Sequence, residues 1–274
     1  MSSVLPDSTL PDQPEPAAPC SDEFSADELS RFAEDGFVIS RQLAPATHVE
    51  RMLAVARDHA SRLIEPLEFE ADVEYPGSPK SVDAPGGQTV RRLKQAHARD
   101  IVFTEWAEFP PLLRRLRQLL GEQVVMPLAH HNCVMTKQPH FSSDTGWHRD
   151  IRYWSFQQPE LVSAWLALGD EYPENGGLFV IPGSHQLEFG PGQLDERLFF
   201  RADAPENQEL IATKRAVKLQ AGDVLFFDAR TLHAASRNRT SKTKYSAVFT
   251  FRPANNLPAA GTRSSSCELM LPLH

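Results

Sequence analysis

The chain has 274 residues, of which 41% are hydrophobic and 23% charged, and its formal net charge at pH 7 is −8. This length suits one large domain with a sizeable buried core. The negative balance argues against general binding to nucleic acid or to an anionic membrane, because both require a basic surface. No apolar run approaches the roughly 20 residues of a membrane span, so the sequence predicts a soluble protein.

The first 22 residues are rich in proline and are typical of a disordered tail. They have neither the basic start nor the apolar run of a secretory signal. The three cysteines, Cys20, Cys133 and Cys267, are far apart and form no C-x-x-C motif. We therefore expect free thiols and a cytoplasmic location.

Three helices are predicted in the first 120 residues. The segment 25–36, "SADELSRFAEDG", has a serine and a glutamate spaced as a capping box and a glycine at its end. A second helix is expected from Thr47, capped against Glu50, until Pro66 stops it. The third, 110–120, has two prolines at its start and one stripe of leucines. "FVIS", directly after the first helix, is expected to enter a strand.

From Val124 onward the pattern changes to short runs rich in Val, Phe, Trp and Tyr, separated by Gly, Pro, Asn and Asp. Many short strands at such spacing indicate a sandwich or barrel. The predicted strands lie within 124–137, 147–154, 161–169, 178–182, 215–219, 223–229 and 244–252.

These patterns predict an α+β fold in a single domain over 23–255. Its helical part covers about 23–121 and its β core about 122–255. Residues 256–274 are expected to be a C-terminal extension. The polar connection 186–214 is expected to run over the surface at one mouth of the barrel.

The segment "GWHRDIRYW", 146–154, contains the first candidate metal ligands. In a strand, residues i and i+2 point to the same side, so His148 and Asp150 could face one ion. His233 follows an apolar strand and is the candidate third ligand. Two histidines and one carboxylate with open positions form the facial triad of non-haem Fe(II) oxygenases. The other His-x-acid pair, His48 and Glu50, lies on a predicted helix, where such spacing turns the side chains apart.

The order and spacing of several landmarks resemble the phytanoyl-CoA dioxygenase family of Fe(II)/2-oxoglutarate-dependent oxygenases. The resemblance extends from about residue 24 to residue 252. Its landmarks are "FAEDGFVIS", "MTKQP", "GWHRDIRYW", "VSAWLALGDEYPENGGLFVIPGSH", "AGDVLFFDARTLHAASRN" and "KYSAVFTF".

The resemblance implies a jelly-roll (double-stranded β-helix, cupin-like) core with the N-terminal helices packed on it. It also implies Fe(II) bound by His148, Asp150 and His233, with 2-oxoglutarate and O₂ as co-substrates. The expected reaction is hydroxylation, or a related oxidation, of an unactivated C–H bond with release of succinate and CO₂. Because an aspartate fills the carboxylate position, hydroxylation is preferred over halogenation.

The chain departs from the family at the anchor for the distal carboxylate of 2-oxoglutarate. Members usually have an arginine eleven residues after the distal histidine, where this chain has Lys244. Lysine is a point charge rather than a bidentate fork, so it holds a carboxylate with less geometric constraint. Ser246 shares its strand face and could donate a second hydrogen bond. In the alternative, Lys244 is a solvated strand-end residue and the anchor is Arg237, Arg239 or Arg252.

Four further residues are candidates for co-substrate binding, each with an ordinary structural alternative. Trp165 matches a tryptophan that the family places near the co-substrate, although it could simply pack in the core. Asn132 precedes the H-x-D segment and could reach the co-substrate. Arg92 and Lys94 share one strand face in a stretch that resembles the family, or they form a solvated edge. The pair His130 and His131 is assigned a structural role.

Two other functions remain open at this stage: a non-catalytic binding module on the same scaffold, and a cupin-like metalloenzyme that uses no 2-oxo acid. The partner of an enzyme would be a small molecule: a secondary metabolite, an amino-acid-like compound or an acyl compound. Aromatic residues in 147–156 suggest an apolar or ring-containing one. The sequence does not choose among these classes.

Overall fold

The computed structural model describes residues 21–273, and most of the Pro-rich segment 1–22 lies outside them. The first helix begins with a capping box. The Ser25 hydroxyl accepts a hydrogen bond from the Glu28 amide, and the Glu28 carboxylate accepts one from the Ser25 amide. The α-helices are α1 Ala26–Asp35, α2 Ala46–Ser61, α3 Ile101–Ala107, α4 Pro110–Leu120 and α5 Gln208–Ala212.

Helices α1 and α4 confirm the predictions from capping and periodicity; the second predicted helix is also present, as α2, but its ends differ, and a further helix, α3, was missed. Helix α2 begins directly after Pro45, without a side-chain cap, so Thr47 lies inside it; it ends at Ser61, before the expected stop. Helix α3 was not predicted. Its N-cap is Asp100, whose carboxylate accepts a hydrogen bond from the Val102 amide, and its seven residues are too few for a clear apolar period.

The strands form two antiparallel sheets. β12 is the longest strand and pairs with β4, β5 and β7. The strands are β1 Phe37–Ser40, β2 Leu67–Phe69, β3 Val90–Lys94, β4 Val124–Pro127, β5 Asn132–Lys137, β6 Thr145–His148, β7 Val162–Ala167, β8 Leu178–Val180, β9 Arg215–Ala216, β10 Val224–Asp228, β11 His233–Ala235, β12 Lys244–Pro253 and β13 Glu268–Met270.

The larger sheet has the order β1-β10-β7-β12-β5-β3-β2, with β4 and β13 attached through β12, and the smaller has the order β6-β11-β8-β9. Alternation along β12 assigns its two faces. Ala247, Phe249 and Phe251 belong to the apolar cluster shared with α2, α3 and α4, whereas Val248 packs between the two sheets with Trp165. The α+β fold with helices on one face of a double-sheet core is therefore confirmed.

Several boundaries differ from those predicted. The run 124–137 is two strands separated by a turn, and β6 ends at His148, so Asp150 begins a short 3₁₀ helix. The connection 186–214 is not purely a polar surface loop, because Phe200 is buried with Trp147. The segment after 255 contributes β13, which pairs with β4.

Within residues 21–273, no helix combines the length and the apolar character that crossing a membrane requires. Both cysteines in residues 21–273 are unpaired, with Cys133 buried and Cys267 exposed.

Candidate metal centre and co-substrate pocket

A cavity of about 510 Å³ opens between the two sheets. Its wall includes His148, Asp150 and His233 and, elsewhere on the same wall, Lys137 and Lys244. The cavity therefore brings together the three predicted metal ligands and the predicted anchor for the co-substrate.

Two of the three predicted ligands lie on strands of the smaller sheet, and the third follows one of these strands directly. His148 ends β6, His233 begins β11, and the two residues are directly paired across these strands. Arg149 is extended, with φ −106° and ψ 139°, so Asp150 stays beside His148 although it begins a 3₁₀ helix. One potential ligand atom from each of the three residues lies within 4.8 Å of the others.

Both imidazoles have the tautomer that metal binding requires. Nδ1 of His148 lies 2.8 Å from the Gly146 carbonyl oxygen, and Nδ1 of His233 lies 3.0 Å from the Thr231 carbonyl oxygen. A carbonyl oxygen only accepts, so each Nδ1 must carry the proton and donate it. The lone pair is therefore on Nε2, and these atoms lie 3.8 Å and 3.6 Å from Oδ1 of Asp150.

The charge state of the cluster also suits a divalent cation. Burial, followed by the neighbouring His233 ring, holds the pKa of His148 well below 6.5. Burial likewise lowers the pKa of His233, partly offset by Asp150. Burial opposes ionisation of Asp150, but the attraction of His131 and of His233 outweighs it and holds its pKa far below the usual range. Two neutral imidazoles and one carboxylate are therefore present at pH 7.

His131 contacts one of the candidate ligands, a contact that the sequence did not predict. Its Nε2 lies 3.0 Å from Oδ1 of Asp150. Burial alone would lower the pKa of His131, but the Asp150 carboxylate raises it to about 9, so the ring is an imidazolium at neutral pH. His131 therefore holds one carboxylate oxygen. The other, Oδ2, is buried and has no hydrogen-bond partner within residues 21–273.

This donor set fits Fe(II). Two neutral imidazole nitrogens and one carboxylate form the 2-His-1-carboxylate arrangement, which leaves open positions on the metal. The Asp150 carboxylate is a further observation in favour, because its buried charge and its unpartnered Oδ2 are costly unless a cation lies nearby. His148, Asp150 and His233 are therefore the residues that would hold the metal.

Lys244 does line the cavity, but it is not a free cation. Its Nζ lies 3.1 Å from Oε2 of Glu171 and 2.8 Å from Oγ of Ser246. Ser246 in turn donates to Oε1 of Glu171 at 2.7 Å, and the Trp165 indole nitrogen donates to the same carboxylate at 3.1–3.2 Å. All four side chains are buried. Glu171 thus satisfies the groups that were expected to bind the co-substrate.

The other predicted binding residues divide by position. Trp165 lines the cavity, with the ammonium of Lys244 4.9 Å from its ring centroid, whereas Ser246 lies behind Lys244 and does not reach the wall. Asn132 is on the wall, but its amide is engaged at both ends by His97: its oxygen accepts from the His97 amide and its nitrogen lies 2.8 Å from Nδ1.

Arg92 and Lys94 lie on β3 and also line the cavity. The Arg92 guanidinium contacts Glu68 at 3.4 Å and the sulfur of Met135 at 3.3 Å, so it is partly neutralised. Lys94 is exposed. Of the three alternative anchors, Arg237 pairs with Asp144 at 2.6 Å and Arg252 pairs with Glu268, and neither these two nor Arg239 lies on the cavity wall.

The sequence profile of the phytanoyl-CoA dioxygenase family matches residues 32–246. The chain belongs to this family. Among curated relatives, the ectoine dioxygenase of Streptomyces avermitilis is 26% identical over 262 residues, which cover 90% of this chain and 82% of that protein. The human peroxisomal phytanoyl-CoA dioxygenase is 22% identical over 250 residues, covering 86% of this chain and 71% of that protein.

Solved structures of similar fold include EctD from S. alaskensis with 2-oxoglutarate and 5-hydroxyectoine. It has a TM-score of 0.71 and 21% identity, and the match covers 86% of this chain and 78% of that one. The 2-oxoglutarate-dependent epimerase SnoN from nogalamycin biosynthesis has a TM-score of 0.66 and 22% identity, over 90% of this chain and 85% of that one. These matches confirm the jelly-roll fold of the phytanoyl-CoA dioxygenase family for this chain.

His130 is the neighbour of His131 in sequence, and its burial predicts that acid destabilises the fold. Its ring packs 4.8 Å from Trp154, and Nε2 lies 2.9 Å from Oγ of Ser264. Burial, aided by the Arg263 guanidinium, lowers the pKa of His130 to about 3. The unfolded chain, with a pKa near 6.5, therefore takes up a proton that the folded state refuses. The stability that His130 contributes is complete above pH 6.5 and is lost as the pH falls toward 3.

We expect the urea midpoint of the wild type to fall more between pH 7.5 and pH 5 than that of His130→Phe, which keeps the aromatic packing but cannot titrate. Urea unfolding of both proteins at the two pH values measures the difference. Parallel decreases in the two midpoints would show that His130 is not the source of the acid sensitivity.

Proposed function

We propose that this protein is an Fe(II)/2-oxoglutarate-dependent dioxygenase that hydroxylates, or otherwise oxidises, a C–H bond of a small molecule. The observation that carries the proposal is the buried cluster of His148, Asp150 and His233 on the wall of a cavity between the sheets. Membership of the phytanoyl-CoA dioxygenase family supports the same activity. The free thiols of Cys133 and Cys267 support a cytoplasmic location.

The roles of the chain's own residues follow from the geometry. His148 and His233 each present Nε2, because their Nδ1 protons are held by backbone carbonyls. His131 contacts Oδ1 of Asp150, the oxygen that also lies near the two Nε2 atoms, and so fixes the orientation of the carboxylate. When bound there, Fe(II) supplies oxygen activation, in which one atom of O₂ enters succinate as 2-oxoglutarate loses CO₂ and the other enters the substrate C–H bond.

The segment after β8 closes one side of this centre. The ring of Phe199 lies 5.7 Å from that of His148, and the Arg152 guanidinium lies 3.8 Å from the centroid of Phe199. An aromatic ring, held by an arginine, therefore packs against one of the three candidate ligands. Exclusion of water protects an oxidising centre from unproductive reactions.

The wall of the cavity favours an anionic substrate. Although the whole chain is acidic, seven arginine and lysine side chains and two carboxylates among the described residues line the cavity, and four of the seven form no ion pair with a described carboxylate. Arg152 and Arg263 lie on the same wall as Trp154, which supplies an apolar surface beside the charge. An amino-acid-like carboxylate or an acyl compound with a phosphate group fits this chemistry. A screen of carboxylates against their neutral amides, read out as succinate release, tests this preference.

One observation favours a different function. The pairing of Lys244 with Glu171 neutralises the expected anchor, as would suit a cupin-like metalloenzyme that needs no 2-oxo acid. Anaerobic titration of the apo-protein with Fe(II) and then 2-oxoglutarate separates the two functions. We expect a weak visible charge-transfer band from the iron chelate of 2-oxoglutarate. Folded, iron-loaded protein that develops no band would exclude the dioxygenase.

A further inference from the structure

Three buried cationic side chains lie near one another beside the cavity: Arg91, Lys137 and Lys244. Two of them have a carboxylate at ion-pair distance. Arg91 pairs with Glu70 at 3.3 Å, and Lys244 pairs with Glu171 at 3.1 Å. Lys137 forms no ion pair within residues 21–273, and its ammonium donates to the backbone carbonyl of Ser143. Of these three side chains, Lys137 is therefore the one without a carboxylate counter-ion among the described residues.

Lys137 and Lys244 occupy matched positions. β5 and β12 are antiparallel neighbours, and their register places Lys137 directly opposite Lys244, so both side chains point to the same face. Both line the cavity. The stem of Lys137 lies along Gly176, where a Cβ would come within 2.8 Å of the lysine Cγ. The chain thus leaves room for a second lysine beside the expected anchor.

We propose that Lys137, rather than Lys244, supplies the charge that binds the distal carboxylate of 2-oxoglutarate, and that Glu171 is the internal counter-ion that makes this necessary. The inference rests on the proposed function. The pair of Lys244 and Glu171 carries no net charge and acts as a polar wall. Ser246 and Trp165 donate hydrogen bonds to the Glu171 carboxylate and so hold it in place.

The surroundings of Lys137 predict a second measurable effect of binding, which is proton uptake. Burial, followed by repulsion from Arg91 and from Lys244, lowers the pKa of Lys137 to about 7, while Glu70 and Asp144 act in the opposite direction. An anion placed beside the ammonium favours the charged form and raises this pKa. Binding of 2-oxoglutarate at pH 8 should therefore be accompanied by proton uptake, of up to about one proton per site.

The test measures binding to the anaerobic Fe(II)-loaded protein by calorimetry, with two probes. 2-Oxoglutarate has the distal carboxylate, whereas 2-oxopentanoate has the same chain length without it. We expect the wild type to prefer 2-oxoglutarate by about 10- to 100-fold, the range of a hydrogen bond to a charged group. Lys137→Met should lose most of this preference and also the proton uptake, which is measured in buffers of different ionisation enthalpy.

Two further variants make the result specific. Lys242→Met removes an exposed lysine two residues from Lys244 and should keep the preference. The double variant Lys244→Met/Glu171→Gln removes the ion pair without changing the net charge, and it should keep most of the preference as well. Thermal unfolding of each apo-protein verifies that the variants are folded.

The possible outcomes distinguish a failure of the proposed function from a failure of the role assigned to Lys137. A wild type that binds neither probe at iron would contradict the proposed function, and the inference with it. A wild type that binds both probes equally would leave the dioxygenase standing and overturn the role of Lys137. Lys137→Met with an unchanged preference, or a double variant that loses it completely, would return the anchor to Lys244.

Discussion

Replacing His233 with alanine is expected to abolish tight iron binding and to lower 2-oxoglutarate turnover by more than about 100-fold. Loss of a residue that merely orients a metal ligand costs about 10- to 100-fold in affinity or activity, so loss of a ligand should exceed that range. Only His148 and Asp150 would remain of the three-residue cluster. Iron content after gel filtration and succinate release from 2-oxoglutarate measure the two effects.

The matched control is His48→Ala. His48 belongs to the other His-x-acid pair of the sequence and lies on α2, with its ring 5.7 Å from that of Phe109. This variant should retain full iron stoichiometry. Iron retention by a folded His233→Ala protein would mean that the ion is bound elsewhere, and the assignment of the cluster as the metal centre would be wrong.

Replacing Glu171 with alanine should destabilise the apo-protein by about 3–5 kcal/mol, the usual cost of removing one partner from a buried ion pair. Glu171 and Lys244 have side-chain exposures of only 1% each, so the remaining ammonium would be buried without a counter-ion. Ser246 and Trp165 would lose their acceptor at the same time. The free energy of unfolding in urea, at pH 7 and without metal, measures the loss.

Two further variants test whether the loss of stability comes from the buried charge. Glu174→Ala, at an exposed glutamate three residues away, should change the free energy of unfolding by less than about 0.5 kcal/mol. The double variant Glu171→Leu/Lys244→Met removes both charges, and it should recover much of the stability because the desolvation cost of each ion disappears too. A double variant that is as unstable as Glu171→Ala would show that packing, and not the buried charge, is responsible.

Local patterns in the sequence predicted the elements whose structure is decided locally. The capping box at Ser25 and the alternation along Lys244–Pro253 have the structural form expected of them. Helix α3 and strand β13 were missed because neither has enough residues for a period to be visible. β13 is held by its pairing with β4, a contact between segments about 140 residues apart along the chain.

The secondary structure predicted around the candidate metal ligands was partly wrong. The prediction assumed a strand through 147–154, whereas the strand ends at His148. The three predicted residues still lie together, because one extended residue, Arg149, is enough to keep Asp150 beside His148. The spacing of the motif was therefore more informative than the secondary structure assigned to it.

The environment of the anchor could not be predicted from the sequence. Glu171 lies 73 residues before Lys244 and 75 before Ser246, and nothing local marks it as a buried counter-ion. Lys137 appeared only as one letter of a family landmark. Its position opposite Lys244 depends on the register of β5 and β12, and a shift of one residue would turn it to the other face.

The two halves of the proposed binding site lie on different sheets. The histidines are on β6 and β11 of the smaller sheet, whereas both lysines are on β5 and β12 of the larger one. A co-substrate that binds the metal at one end and a lysine at the other would connect the two sheets. Its binding free energy would then oppose separation of the two sheets. The sheets should therefore separate less readily in the enzyme with bound co-substrate than in the empty enzyme.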